Sequence, residues 1–108
     1  MNRDSGFFQG SGNVFADLGV EDADMELAKA EIGLAIRTHI RSLKLNQTQA
    51  ASLLDTDQAK VSAIMNGKLS GFTYDRLLRY LKKLNCDITI SIASPRPERA
   101  GKVLVETA

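Results

Sequence analysis

The sequence predicts a mainly α-helical domain of four to five short helices, followed by a single C-terminal β-strand used in dimerisation. Three observations predict it. Apolar residues recur at helical spacing between Ala28 and Leu43, which marks one long amphipathic helix. The stretch NQTQAASLLDTDQAKVSAIMNG, Asn46 to Gly67, carries two sets of helix start and stop signals only a few residues apart. Cys86 to Ile92 alternates strictly between Ile and polar residues, the period of a strand.

At 108 residues the chain has room for one small domain, and 44% hydrophobic with 25% charged residues is the balance of a soluble one. Its single cysteine, Cys86, has no partner for an internal disulfide. Neither a signal-peptide pattern nor a long apolar run is present, so the expected location is cytoplasmic and no membrane association is expected. Up to Ile36 the chain has 2 basic and 7 acidic residues, and from Arg37 onward 12 basic and 6 acidic. That asymmetry predicts two partners of opposite charge, with nucleic acid as the partner of the basic part.

Residues 1–20 mix four Gly with Phe7, Phe8, Val14, Phe15 and Leu18 and show no period. They are read as a flexible segment that docks through those apolar residues, on its own domain or on a partner protein. Residues 21–85 form the expected domain. Glu21 or Asp22 opens a helix to about Leu43, with Ala28, Ile32, Ala35, Ile36, His39, Ile40 and Leu43 as its buried stripe. Acidic residues at its start and Arg37, Arg41 and Lys44 at its end oppose the helix dipole. His39 has no second His and no Cys at a ligand spacing, so it is read as a core or boundary residue and no metal or cofactor is expected.

Asn46 and Gln49 form a capping-box pattern that starts a helix at Gln47 and carries it to Leu54. Asp55 to Asp57 interrupt it. Thr56 or Asp57 then opens a second helix, Gln58 to Asn66, closed by a left-handed Gly67. Ala51 is small enough in mid-helix to let the two helices cross closely, with Leu54, Val61 and Ile64 in the shared core. The outward residues Gln58, Ala59, Lys60, Ser62 and Asn66, with Gln47 at the start of the first helix and Lys68 beyond the second, suit a helix in the DNA major groove. Gln reads adenine, Lys reaches guanine or phosphate, and Ser and Asn suit phosphates.

Thr73 is the expected N-cap of a last helix reaching Leu84, with Phe72 and Leu77 at the two positions of a hydrophobic staple. Leu77, Leu78, Leu81 and Leu84 form its core stripe, leaving Arg76, Arg79, Lys82 and Lys83 outward. In the strand of residues 86–94, Ile88, Ile90 and Ile92 share one face. A lone strand needs a partner, so it is expected to pair with its copy in a homodimer, the rival being a hairpin with Lys102 to Val105. Residues 95–108 read as a flexible tail.

The stretch with Gln47, Ala51, Val61, Ile64 and Asn66-Gly67 resembles the helix-turn-helix of the Cro/cI-like (XRE) repressors, which implies a lambda-repressor-like bundle. Asp55 departs from it, since that family usually has Gly at the corner. The order GNVFADLG, long helix, helix-turn-helix, Ser70-Gly71-Phe72 and terminal strand resembles, over about Ser11 to Ile92, the HigA-like antitoxins of bacterial toxin–antitoxin pairs. That resemblance implies a dimer that represses its own operon and binds a small basic RelE/HigB-like toxin, a ribonuclease. The alternative is a stand-alone XRE-type regulator of phage or mobile-element origin, and a third reading is a pure protein-interaction module. With one His, one Cys and no phosphate-binding loop, neither catalysis nor a small-molecule substrate is expected.

Overall fold

The computed structural model describes residues 23–107. Among these residues there are four helices, α1 (Ala23–Ser42), α2 (Gln47–Leu54), α3 (Gln58–Met65) and α4 (Tyr74–Lys83). α1 packs against α3 and α4, and α2 against α3 and α4, so the α2–α3 corner is seated on the other two helices. Ile36 and Ile40 of α1, Leu54 of α2, Val61 and Ile64 of α3 and Leu77 of α4 are the largest fully buried side chains. Ala50 is buried beside Ala51, which gives the crossing two small residues where one was foreseen.

All four helices stop in the same way. A left-handed residue, Lys44, Asp55, Gly67 or Asn85, follows each helix, with φ of 58°, 57°, 73° and 65° in turn. The amide of the next residue then bonds back five positions: Leu45 to Ile40, Thr56 to Ala51, Lys68 to Ala63 and Cys86 to Leu81, at 3.3, 2.9, 2.8 and 3.0 Å. The left-handed residue itself donates to the carbonyl three positions back in every case. These are Schellman closures, which satisfy the carbonyls a helix end leaves open. Asp55 therefore does the work of the family's glycine.

Helix starts are equally local. Asn46 Oδ1 accepts from the Gln49 amide at 2.7 Å and Gln49 Oε1 from the Asn46 amide at 2.9 Å, a complete capping box. Of the two expected openers of α3 the structure uses Asp57, whose Oδ1 accepts from the Lys60 amide at 2.8 Å. Thr73 Oγ1 caps α4 through the Arg76 amide at 3.1 Å, and both staple residues, Phe72 and Leu77, are buried.

Three features correct the sequence reading of the helices. His39 and Leu43 are exposed, because the buried stripe of α1 runs Ala28, Ile32, Gly33, Ile36 and Ile40. Gly33 belongs to it because Leu69 of the α3–α4 loop lies against it, where a Cβ would stand 2.6 Å from Leu69 Cδ1. Tyr80, read from sequence only as a helical residue, is 3% exposed and packs edge-on to Phe72, with ring centroids 6.3 Å apart.

The expected strand of residues 86–94 is corrected. Among the described residues there is no strand, and residues 86–107 contain neither helix nor ladder. A strand exists only by hydrogen bonding to another, and the apolar residues at the start of this segment have a different use. Cys86 and Ile88 pack on the helical core, whereas Ile90 and Ile92 are 75% and 91% exposed. The rival hairpin does not form in the chain either. The Val103 amide instead donates to Asp24 Oδ2 at 2.6 Å and Val105 packs on the core, so the end of the chain returns to the start of α1. Phe7, Phe8, Val14, Phe15 and Leu18, and the expected opening residues Glu21 and Asp22, lie outside the described residues.

Candidate nucleic-acid interface

On α3 the buried residues Val61 and Ile64 fix the rotation of the helix and thereby decide what faces out. Gln58, Ala59 and Asn66 are exposed and Ser62 half-buried, and the spacing of these four places them on the side opposite the core. Asn66 Nδ2 donates to the Ser62 carbonyl at 2.9 Å and lies 3.4 Å from Ser62 Oγ, which ties the two side chains together across the last turn. Such tethering limits the rotamers available before a partner arrives.

Lys60 stands apart from that row. It is four residues before Ile64, hence on the flank of the helix, and its Nζ pairs with Asp57 Oδ2 at 2.9 Å. The hydrogen bond from the Lys60 side chain, then that from its amide, holds the Asp57 carboxyl below its ordinary value of 3.8. A phosphate contact by Lys60 therefore competes with Asp57, whereas Lys68, exposed beyond Gly67, has no such partner among the described residues. Gln47 is half-buried at the first position of α2.

The seat of α3 depends on residues outside the helix-turn-helix. Arg37 Nη1 donates to the Ile64 carbonyl at 3.1 Å, reaching from α1 to the last turn of α3. From the sequence Arg37 reads only as a cation opposing the dipole of its own helix, since no local pattern signals a bond 27 residues away. On the other side, the Tyr80 hydroxyl donates to Thr56 Oγ1 at 3.1 Å, which holds the corner itself to α4. Tyr74 ties α4 to the Met25 carbonyl near the start of α1.

A short helix held at its cap, its end and its preceding corner, with a polar face turned away from the core, is the geometry of a helix-turn-helix reader. The sequence comparisons agree: a family described as "Helix-turn-helix domain" matches residues 14–93. A solved structure described as "Putative XRE Family Transcriptional Regulator" is 36% identical and superposes with a TM-score of 0.73, covering 81% of this chain and 99% of that one. The chain belongs to the XRE-type helix-turn-helix family. This is not an enzyme class. Among curated proteins no relative matches. The helix-turn-helix family match includes α1, the helix-turn-helix, α4 and the segment as far as residue 93. Among the described residues no helix is long and apolar enough to cross a membrane.

Proposed function

We propose that this XRE-family chain is a sequence-specific transcriptional regulator that inserts α3 into the major groove of duplex operator DNA. The observation that carries the reading is the face of α3, with Gln58 exposed in the first turn, Ser62 and Asn66 tethered behind it and Lys68 just beyond. Gln58 supplies bidentate readout of a base, and Lys68 supplies a phosphate contact with no sequence preference. Retardation of the DNA upstream of its own reading frame tests this. Gln58→Ala should weaken operator binding by about 1 to 3 kcal/mol and relax the preference at one base position, while Lys68→Ala weakens binding to all sequences alike. An unchanged base preference in the first variant assigns readout to another face.

A finer reading makes the protein a dimeric antitoxin. Its support is the resemblance to HigA-like chains and the 7 acidic to 2 basic count up to Ile36, which suits a small basic toxin. Phe7, Phe8, Val14, Phe15 and Leu18 are the proposed anchors, and Ile88, Ile90 and Ile92 the proposed dimer contacts, of which Ile90 and Ile92 stand exposed. Pairing of these arms across a two-fold axis would present two α3 helices to major-groove faces about 34 Å apart. The stand-alone regulator is supported equally by family membership. Co-purification of a small basic protein with the full chain, lost on removing residues 1–20, favours the antitoxin; its absence when both neighbouring genes are co-expressed favours the stand-alone regulator.

A further inference from the structure

We infer that Arg37 is a specificity-determining positioning residue: it touches no base, and it sets the seat of the reading helix by clamping the C-terminal turn of α3 to α1. This inference rests on the proposed DNA-binding role and adds a residue outside the helix-turn-helix to it.

α3 is only eight residues long, too short to be rigid by itself. Its beginning is fixed by Asp57 and its inner face by Val61 and Ile64, but the Ser62–Asn66 pair lies on the last turn, where helices fray. The Ile64 carbonyl sits in that turn. It accepts the Gly67 amide at 3.0 Å and the Arg37 guanidinium at 3.1 Å, so the closure of the helix and the contact to α1 meet on one oxygen. A cation at this end also opposes the partial negative charge of the α3 dipole. The donor is well anchored. Its neighbour Ile36 is completely buried, and Ile40, one turn further on, is 2% exposed. Gly67 leaves room for the arrangement, since even a Cβ there would only reach 4.0 Å from Arg37 Nη1.

A charge-assisted bond to a half-buried carbonyl is worth more than a neutral one, and the guanidinium aims it more rigidly than an ammonium does. Removing it leaves the core and the N-terminal half of α3 in place while freeing the turn that carries Ser62 and Asn66, whose uncharged phosphate contacts would fix the register in which Gln58 meets its base. Loss should therefore fall on discrimination between sequences. General attraction to DNA, set by charged phosphate contacts such as that of Lys68, should remain.

The test uses the full chain with Arg37→Gln and Arg37→Lys, binding the duplex upstream of its own reading frame and a scrambled duplex of equal length. Both are titrated over a salt series, at a temperature where circular dichroism shows each variant folded. Arg37→Gln should reduce the ratio of operator to scrambled affinity by about tenfold, with the slope of affinity against salt unchanged, and Arg37→Lys should recover part of the ratio. A ratio equal to that of the parent overturns the inference. So does a salt slope shallower by about 0.9 in Arg37→Gln, because it makes Arg37 a direct phosphate contact. If the parent chain itself fails to prefer its own upstream DNA, the proposed function falls with it, whereas a parent that discriminates beside an equally discriminating Arg37→Gln removes the inference alone.

Discussion

The hydroxyl of Tyr80, in a residue 3% exposed, donates to Thr56 Oγ1 at 3.1 Å and joins α4 to the corner of the helix-turn-helix. Its oxygen also lies 3.4 Å from Arg76 Nη1, which donates to it. Tyr80→Phe keeps the ring against Phe72 and removes only these bonds. Such a loss costs about 1 kcal/mol, which lowers the melting temperature of a domain this size by roughly 4 to 8 °C. Thr56→Val should cost a similar amount, and the double variant little more than either, as expected for two partners of one bond. Thermal melts of the four proteins check it.

The left-handed positions give a graded series. Glycine adopts positive φ without strain, but it also gives the unfolded chain more freedom, and the two effects oppose each other. Lys44→Gly should gain most, about 0.5 to 1 kcal/mol, because a long side chain is least suited to φ 58°. Asp55→Gly and Asn85→Gly should gain less, since Asp and Asn tolerate this region. Gly67→Ala should destabilise. Urea midpoints across the set measure the order.

Gly33→Ala sets helix propensity against packing. Alanine favours the helix by about 1 kcal/mol, but its Cβ would press on Leu69, a side chain buried in the α3–α4 loop, and overpacking costs about 1 to 3 kcal/mol. The net effect should be destabilising. In a Leu69→Ala background the obstruction is gone, so Gly33→Ala should there become stabilising by up to about 1 kcal/mol. That reversal of sign is read from a double-mutant cycle.

Asp57 gives the fold an acid-sensitive contribution. Its carboxyl is held below 3.8 in the folded state by the Lys60 bonds, so it stabilises the fold above its unfolded pKa and loses that contribution as pH falls through the folded one. Asp57→Asn retains a cap but not the ion pair. The stability gap between parent and variant should therefore be full near pH 6 and close as the pH drops below 3.8. Chemical unfolding at stepped pH follows it.

Much of this was legible in the sequence because the helix limits are written locally. The helix expected from Gln47 to about Leu54 is Gln47–Leu54, since Asn46, Gln49 and Asp55 carry both ends within one short stretch. What escaped depends on residues far apart in the chain. Gly33 lies on the face of Ile36 by spacing, but its burial there depends on Leu69 packing against it, and Arg37 matters because of a carbonyl on another helix. Leu43 fitted a 3.6-residue stripe yet is 52% exposed, as α1 ends at Ser42 and Leu43 belongs to its closing turn. The alternation from Cys86 to Ile92 is genuine, but alternation names a strand only where a second strand is available. A polar row on the second helix could be read from its spacing, while the flank position of Lys60 required knowing which way Val61 and Ile64 point.

The repeated helix closure bears on how the chain folds. Each stop signal bridges only five residues, so the limits of every helix are encoded locally, although helices as short as α2, α3 and α4 persist only once packed. The search that remains is an assembly of segments of preset length, and such locally determined helical domains fold in microseconds to milliseconds. The four closures thus preset where each helix stops as the core assembles.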